Sequence, residues 1–296
     1  VKRMGEWLEL DLPADVRRGE RTPENWLAAR LGVPVDKLAG MCGEGGIRTA
    51  AGRVRLRLFP ERDAGFDPWW HPLDVLYEDD FCLVADKPAG LAVHPDGGAS
   101  GEGTLAGAVA FHYAATGQRV AVRHIHRLDR MTSGPVLYAK NAFAQAKLDE
   151  QMRNKTIVRT YLAAVAGIPK TPRGTVSAPI GKDRHVSGKR RVSPGGRPAV
   201  THYELIEPFP AAGASLLRLR LETGRTHQIR VHLAHIGHPV IGDALYGRPD
   251  PRIRRQALHG ERLRFRHPFT GEEVETVSLL PADIAHLLDD LRASGG

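Results

Sequence analysis

The sequence predicts an α+β protein, with a large domain around a largely antiparallel, mixed sheet and a small N-terminal α/β unit in front of it. Three observations lead there. The chain has 296 residues, which at about 150 per domain makes one large domain and a small one. From about Leu73 onward, many short strand-like segments alternate with a few helices in no strict βαβ rhythm. Between the two parts, Asp63 to His71 carries Gly65 and Pro68 and runs into Pro72, the composition of a connecting segment. The expected units are residues 1–65 and 76–296, joined by a linker over 66–75.

In the first unit, Thr22-Pro23-Glu24-Asn25 reads as a helix start, with Thr22 at the cap and Pro23 at the first helical position. Trp26, Leu27 and Leu31 give that helix one apolar side. A second short helix runs from Val35 to Met41 and stops near Gly43, and Gly45-Gly46 and Ala51-Gly52 punctuate short strands through Val54 to Leu58. The expectation is two helices and a hairpin.

In the large domain, Pro135 to Ala139 is an apolar strand, and Ile157 to Ala166 has a period of two that puts Arg159, Tyr161, Ala163 and Val165 on one face. Leu217-Arg218-Leu219-Arg220-Leu221 alternates in the same way. Thr223-Gly224 then turns the chain, and Thr226 is placed to cap a helix lined by Ile229, Leu233 and Ile236 and stopped by Gly237 and Pro239.

Composition is ordinary for a globular protein, 42% hydrophobic and 26% charged, and at this size roughly three quarters of the unfolded surface is buried without help from disulfides or metal. A collagen-like, disordered or membrane-spanning chain is excluded on this count. The 42 Lys and Arg against 34 Asp and Glu leave a net charge of +8, which points to a polyanionic partner. Only nine of those cations are Lys; Arg suits bidentate phosphate contacts, although a genome rich in G and C also favours it. Cys42 and Cys82 stand alone, and the first residues form no signal peptide, so a reducing, cytoplasmic compartment is expected.

The charge concentrates in two places. Lys182 to Arg197, with Lys189, Arg190 and Arg191 among its cations, reads as a mobile loop, and Arg252, Arg254, Arg255, Arg262, Arg264 and Arg266 form a second cluster. Both are expected to face phosphate. No GxxxxGK[ST] and no GxSxG is present, and the glycines from Gly97 to Gly107 do not follow a strand, which argues against a nucleotide cradle.

Two stretches carry the chemistry. In His124 to Gly134, Asp129 sits among cations on a polar loop that leads into an apolar strand, an arrangement that holds a carboxylate ionised as a nucleophile requires. A surface ion pair is the plainer alternative. In Thr223 to Pro239, Arg225 and Arg230 bracket a helix start and could grip phosphate or hold a catalytic carboxylate. His232 and His235 are three apart, with His235 placed on the apolar side. Two histidines without HExxH or a nearby Cys do not make a metal site, and no metal is expected.

His126-Arg127-Leu128-Asp129-Arg130-Met131-Thr132-Ser133-Gly134 resembles the HRLDxxTSG signature of the RluA-type pseudouridine synthases. Glu78 to Pro95 resembles the opening motif of that family and Arg159-Thr160-Tyr161 its tyrosine strand. Thr223 to Arg230, with Gly242-Asp243 and Tyr246-Gly247, resembles the third motif, and Leu258-His259 through Leu280-Pro281 the closing segment. The resemblance spans about residues 73–284 and implies the pseudouridine synthase fold. It also implies an enzyme that detaches a uracil within RNA, rotates it and rejoins it through carbon five, without a cofactor.

By the same resemblance Asp129 is the nucleophile, Tyr161 packs against the base, Arg230 pairs with the aspartate and Arg127 fills the stack vacated by the flipped base. Arg130, Arg225, His227, Lys189, Arg190 and Arg191 are the further RNA-binding candidates. Residues 1–65 resemble, more weakly, the ribosomal S-four-type RNA-binding domain, although Gly45 to Gly52 lacks its Arg-rich helix and Val-x-Val-Asn-Gly turn. The expected substrate is large-subunit rRNA, with tRNA as the nearest rival. A non-catalytic RNA-binding or ribosome-assembly protein, and a metal-dependent hydrolase using His232 and His235, are the readings from other classes.

Overall fold

The structure is a computed structural model and describes residues 1–95 and 103–294. Most of the glycine-rich stretch from Gly97 lies outside the described residues.

The N-terminal part comprises β1 (Lys2–Met4), β2 (Trp7–Asp11), α1 (Ala14–Arg17), α2 (Pro23–Leu31), α3 (Val35–Cys42), β3 (Ile47–Ala50) and β4 (Arg53–Leu56). Helix α2 starts as the sequence predicts, with Thr22 Oγ1 accepting from the Asn25 amide and Gly32 closing the helix at φ +61. The hairpin is half of a four-stranded sheet of order β1-β2-β4-β3. Strand β2, not among the predicted elements, buries Glu9 together with Leu8 and Leu10. That carboxylate is tolerated because Arg53 and Arg55 of the paired strand donate to it at 2.8 and 2.7 Å. Leu27, Leu38 and Leu56 from this part join one hydrophobic core with Phe81, Val84, Leu137, Phe143 and Phe265. Residues 57–73 have no regular structure, but Val122 donates to the Ala64 carbonyl and Trp69 to that of Gly107, so the segment is stitched to the rest.

The next part comprises β5 (Asp74–Glu78), β6 (Cys82–Lys87), α4 (Leu105–Ala115), β7 (Arg123–His124), β8 (Gly134–Ala139) and α5 (Ala142–Arg153), with sheet order β5-β6-β8-β7. There follow β9 (Val158–Ala166), β10 (Arg173–Ser177), β11 (Ile180–Lys182), β12 (Arg190–Val192), β13 (Val200–Phe209), β14 (Ala214–Leu221), α6 (Gln228–His235), β15 (Leu258–Arg266), β16 (Glu273–Val277) and α7 (Ala282–Ala293). Six of these strands form a second sheet of order β10-β13-β14-β9-β15-β16, and every pairing between named strands is antiparallel. The α+β class and the antiparallel sheet are as predicted. Strand β9 buries Arg159, Tyr161, Ala163 and Val165, the face its period-two pattern assigned.

Two expectations fail here. Residues 182–197 are not a free loop, because β11 and β12 pair as a two-stranded ribbon and Arg197 bonds back to Ile180. The arginines of 252–266 are mostly spent on carboxylates. Antiparallel pairing sets β15 against the acidic β16, so Arg262 meets Glu275 and Arg264 meets Glu273, while Arg252 pairs with Asp250 and Arg255 with Asp283.

The two large sheets meet at Thr132-Ser133-Gly134. Gly260 of β15 donates to the Ser133 carbonyl at 2.7 Å, and Ser133 Oγ lies 3.0 Å from His259 Nδ1. Gly134 has φ +129, and a Cβ there would fall 2.5 Å from the Gly260 carbonyl oxygen. Only glycine fits, for backbone conformation and for space. This crossing sets the loop before β8 beside β9.

Candidate active site

The loop from His124 to Thr132, the outer part of β9 and residues 224–230 line a cleft of about 880 Å³. Asp129 stands on that loop with its side chain 24% exposed, and its carbonyl accepts from the Thr132 amide. Beneath the loop, Lys87 at the end of β6 is fully buried and donates to the carbonyls of Pro88, Leu91 and Arg130 at 2.8–2.9 Å. Burial pulls its pKa down to about 7 against the opposing charge of Asp129. The three acceptors match the three protons of an ammonium, and they tie the backbone next to the carboxylate, at Arg130, to the turn at Pro88–Leu91.

Arg230 reaches Asp129 Oδ2 through Nη1 at 3.2 Å and grips Asp243 through Nε and Nη2 at 2.6 and 2.8 Å. Asp243 is wholly buried and also accepts from the Leu245 and Tyr246 amides. Burial opposes the Arg230 charge, but Asp243 and then Asp129 outweigh it, so the pKa rises. The guanidinium lies over the Tyr246 ring, 5.0 Å from its centroid. Tyr246 Oη accepts from the Arg190 amide and lies 2.9 Å from His227 Nδ1, which docks the β11–β12 ribbon against the cleft.

Helix α6 is not capped by Thr226. His227 occupies the cap position with φ +59 and makes no side-chain cap bond. The turn is held instead by the Gln228 amide. Its oxygen accepts from Thr223 Oγ1 and the Arg225 amide, and its nitrogen donates to Val200 and Thr201. Burial, helped by Arg230 and Arg190 and opposed by Asp129 and Asp243, lowers the His227 pKa. The ring is therefore mostly neutral at pH 7.

On the opposite wall, Tyr161 is 4% exposed and its hydroxyl makes no hydrogen bond with any described residue. Burial, with the nearby Asp129 charge, raises its pKa, while Arg159 pulls the other way. His126 lies behind them, and burial followed by the Arg159 charge pulls its pKa down to about 3.

The structure thus brings Asp129, Tyr161 and Arg230 to one cleft. Arg127 is exposed at the cleft with Nη1 3.1 Å from His94 Nε2, and His94 stacks on His124. Arg130 is turned back to the Gly90 carbonyl and Arg225 to that of Pro198, so each has one nitrogen already engaged. Lys189 lies over the Tyr246 ring beside Arg190, and Arg191 is exposed on the ribbon.

His232, not His235, is the buried histidine of α6, and its two nitrogens are taken by Thr201 Oγ1 and the Ala178 carbonyl. His235 is exposed, so the pair does not converge. Asp79, Cys82 and His267 do converge, within 4.8 Å. Their polar atoms form a hydrogen-bonded knot in which Asp79 accepts from Tyr77, Phe81, Cys82 and His267. Asp243, Tyr246 and Lys87 support the site without having been singled out by residue type or spacing. Their only trace in the sequence is membership of Gly242-Asp243, Tyr246-Gly247 and Asp86-Lys87-Pro88.

The RNA pseudouridylate synthase family profile matches residues 81–235. The chain is 40% identical over 286 residues to the uncharacterized RNA pseudouridine synthase YhcT of Bacillus subtilis (strain 168), covering 97% of this chain and 93% of that one. It is 38% identical over 305 residues to the ribosomal large subunit pseudouridine synthase D of Haemophilus influenzae, covering 98% and 86%. Among solved structures it resembles human RNA pseudouridylate synthase domain containing 1, with a TM-score of 0.59 at 26% identity over 77% of this chain and 98% of that one. No described helix is long and apolar enough to cross a membrane. With an aspartate and a buried tyrosine facing one cleft across an arginine brace, and relatives matched along nearly its whole length, the chain belongs to the RluA-type RNA pseudouridine synthases, isomerases that act on uridine in RNA.

Proposed function

We propose that this enzyme modifies large-subunit rRNA and that Asp129 is its nucleophile. The observation that carries the chemical part is the position of Asp129: a carboxylate open to the cleft, held by an arginine that Asp243 holds in turn. Such a brace orients the oxygen before substrate arrives, which is what nucleophilic catalysis by a weak base needs. Attack falls on the base or on the anomeric carbon of the ribose. Tyr161 packs on the uracil, Arg230 positions Asp129, and Arg127 fills the gap left by the flipped base, offsetting unstacking that costs a few kcal/mol.

The substrate class is supported by the names of the relatives, several of which are ribosomal large subunit pseudouridine synthases about 40% identical to this chain. Lys189, Arg190 and Arg191 on the ribbon, with Arg130, Arg225 and His227, form the RNA-contacting rim. Residues 1–65, which share a hydrophobic core with the synthase domain of residues 76–296, act as an RNA-docking unit, and the protein works in the cytoplasm. The test is carbodiimide mapping of pseudouridine in total ribosomal and transfer RNA from cells lacking the protein, complemented with wild type or Asp129→Asn. Sites in large-subunit rRNA that vanish, return with wild type and stay absent with the variant are the expected result. Sites confined to tRNA would replace the substrate class, and sites restored by Asp129→Asn would remove its role.

A further inference from the structure

Arg159 is 8% exposed, sits on the buried face of β9 two residues before Tyr161, and lines the cleft. It makes no ion pair and no hydrogen bond with any described residue, and its shielded Nε has no partner. The other buried arginines that line or border this region are treated differently. Arg230 is bound to Asp243 and Arg255 to Asp283, each through two nitrogens. A cation withdrawn from water without a counter-ion is strongly unfavourable, and buried charges are paired as a rule. The packing around it keeps it there. A Cβ on Gly224 would lie 3.2 Å from Arg159 Nη1, so the glycine leaves room for the guanidinium at the cleft wall.

None of its neighbours supplies the missing charge. Tyr161 and His126 are both neutral at physiological pH, the first with its pKa raised and the second with its pKa near 3. Asp129, the carboxylate that opens on the cleft, is taken by Arg230, and no ion pair links it to Arg159. Among the described residues no carboxylate pairs with Arg159, and an anionic substrate would supply the counter-ion.

We propose that Arg159 binds a phosphate of the RNA backbone next to the uridine that enters the cleft. A phosphodiester neutralises the charge and matches the planar donor fork, whereas a uracil carbonyl would leave the charge uncompensated. Residues i and i+2 of a strand stand roughly 7 Å apart on one face, a reach that takes Arg159 from a base packed on Tyr161 to an adjoining phosphate. The proposal rests on the reading of Asp129 and Tyr161 as the groups flanking the target uridine.

The test is a cycle between protein and RNA. The probe is a synthetic RNA segment around the uridine found by carbodiimide mapping, in whichever RNA that uridine lies. It is made with ordinary linkages, or with a single neutral methylphosphonate on the 5′ or the 3′ side of the target. Kd is measured with Asp129→Asn, which leaves the RNA unaltered, alone and combined with Arg159→Gln or Arg159→Lys. Arg159→Gln is expected to weaken binding of the ordinary RNA about tenfold to a hundredfold, the range for removal of a charge-assisted hydrogen bond. It should cost nothing further on the RNA whose contacted phosphate is neutral, and Lys should restore part of the affinity. An equal loss on all three RNAs, or no loss, overturns the proposal. Should Arg159→Gln fail to fold, the Asp129→Asn protein with its native Arg159 decides alone, because unchanged affinity for both methylphosphonate RNAs overturns it. Failure of the large-subunit assignment appears in the mapping and not in these affinities.

Discussion

On the α6 wall of the cleft, Arg230 donates to Asp243 through two nitrogens and to Asp129 through a third, and Tyr246 is bonded to both His227 and Arg190. On the β9 wall, among the described residues, Arg159 has no partner, the Tyr161 hydroxyl is unbonded and His126 Nδ1 is buried without a partner. The first wall holds Asp129 without substrate through bonds formed on folding, although the Nε of Arg190 on the ribbon is also buried without a partner among the described residues. The second keeps buried donors and one charge unsatisfied, and a matching acceptor is worth more there than in water. The difference separates what holds Asp129 in place from what, on the proposal above, awaits RNA.

Asp129→Asn should break the chemistry while leaving both walls standing. Turnover is expected to vanish, with RNA affinity changed by less than about 1 kcal/mol, since the substitution is nearly isosteric and removes only the proposed nucleophile. Single-turnover assays and filter binding on the mapped RNA check both halves. Asp243→Ala attacks the completed wall. It leaves Arg230 buried with only Asp129, and breaking a buried pair from one side costs about 3–5 kcal/mol. Urea unfolding measures it, and a loss below about 1 kcal/mol would mean that the brace is no stronger than a surface ion pair.

The unsatisfied wall has a pH signature. His126 titrates at about 3 in the folded protein because burial and Arg159 disfavour its cation. The unfolded chain takes up that proton near pH 6.5, so stability falls as pH drops from 6.5 toward 3, by about 1.4 kcal/mol per pH unit over most of that window. His124, His232 and His259 are also depressed by burial and add to the slope. The contribution of His126 is therefore the difference in slope between wild type and His126→Gln, read from unfolding at pH 7 and pH 5. Equal slopes would place the ring in contact with water. The smallest effect is expected at the rim. Removing the charges of Lys189, Arg190 and Arg191 should weaken binding across RNAs alike and lower the slope of log K against log salt by about 0.7–0.9 for each phosphate no longer neutralised. An unchanged slope would leave the ribbon as a solvated face.

Periodic and local signals carried most of what could be read without coordinates. The alternation of β9 put Tyr161 inward, Thr22-Pro23 started α2, and the polar loop ending in Thr-Ser-Gly marked Asp129. Strand β2 was missed although Leu8-Glu9-Leu10-Asp11-Leu12 alternates as β14 does; what the sequence does not show is that Glu9 is buried, which the arginines of β4, more than forty residues away in the chain, make tolerable. The cap of α6 was misplaced by one residue because the Gln228 side chain, anchored to β13, outcompetes a threonine hydroxyl.

The sequence by itself determined the family and the antiparallel α+β class and pointed to Asp129, Tyr161 and Arg230, which the structure brings to one cleft, because these are written in short-range patterns and motif spacing. Only the tertiary structure decided which arginines are free. Arg262 and Arg264 of the second basic cluster are paired where β16 aligns against β15, Arg230 is held by an aspartate thirteen residues onward, and Arg159 is buried without a partner among the described residues. Charge is visible in a sequence. Its compensation depends on distances of a few ångströms between groups from different strands, and those exist only once the sheets have met.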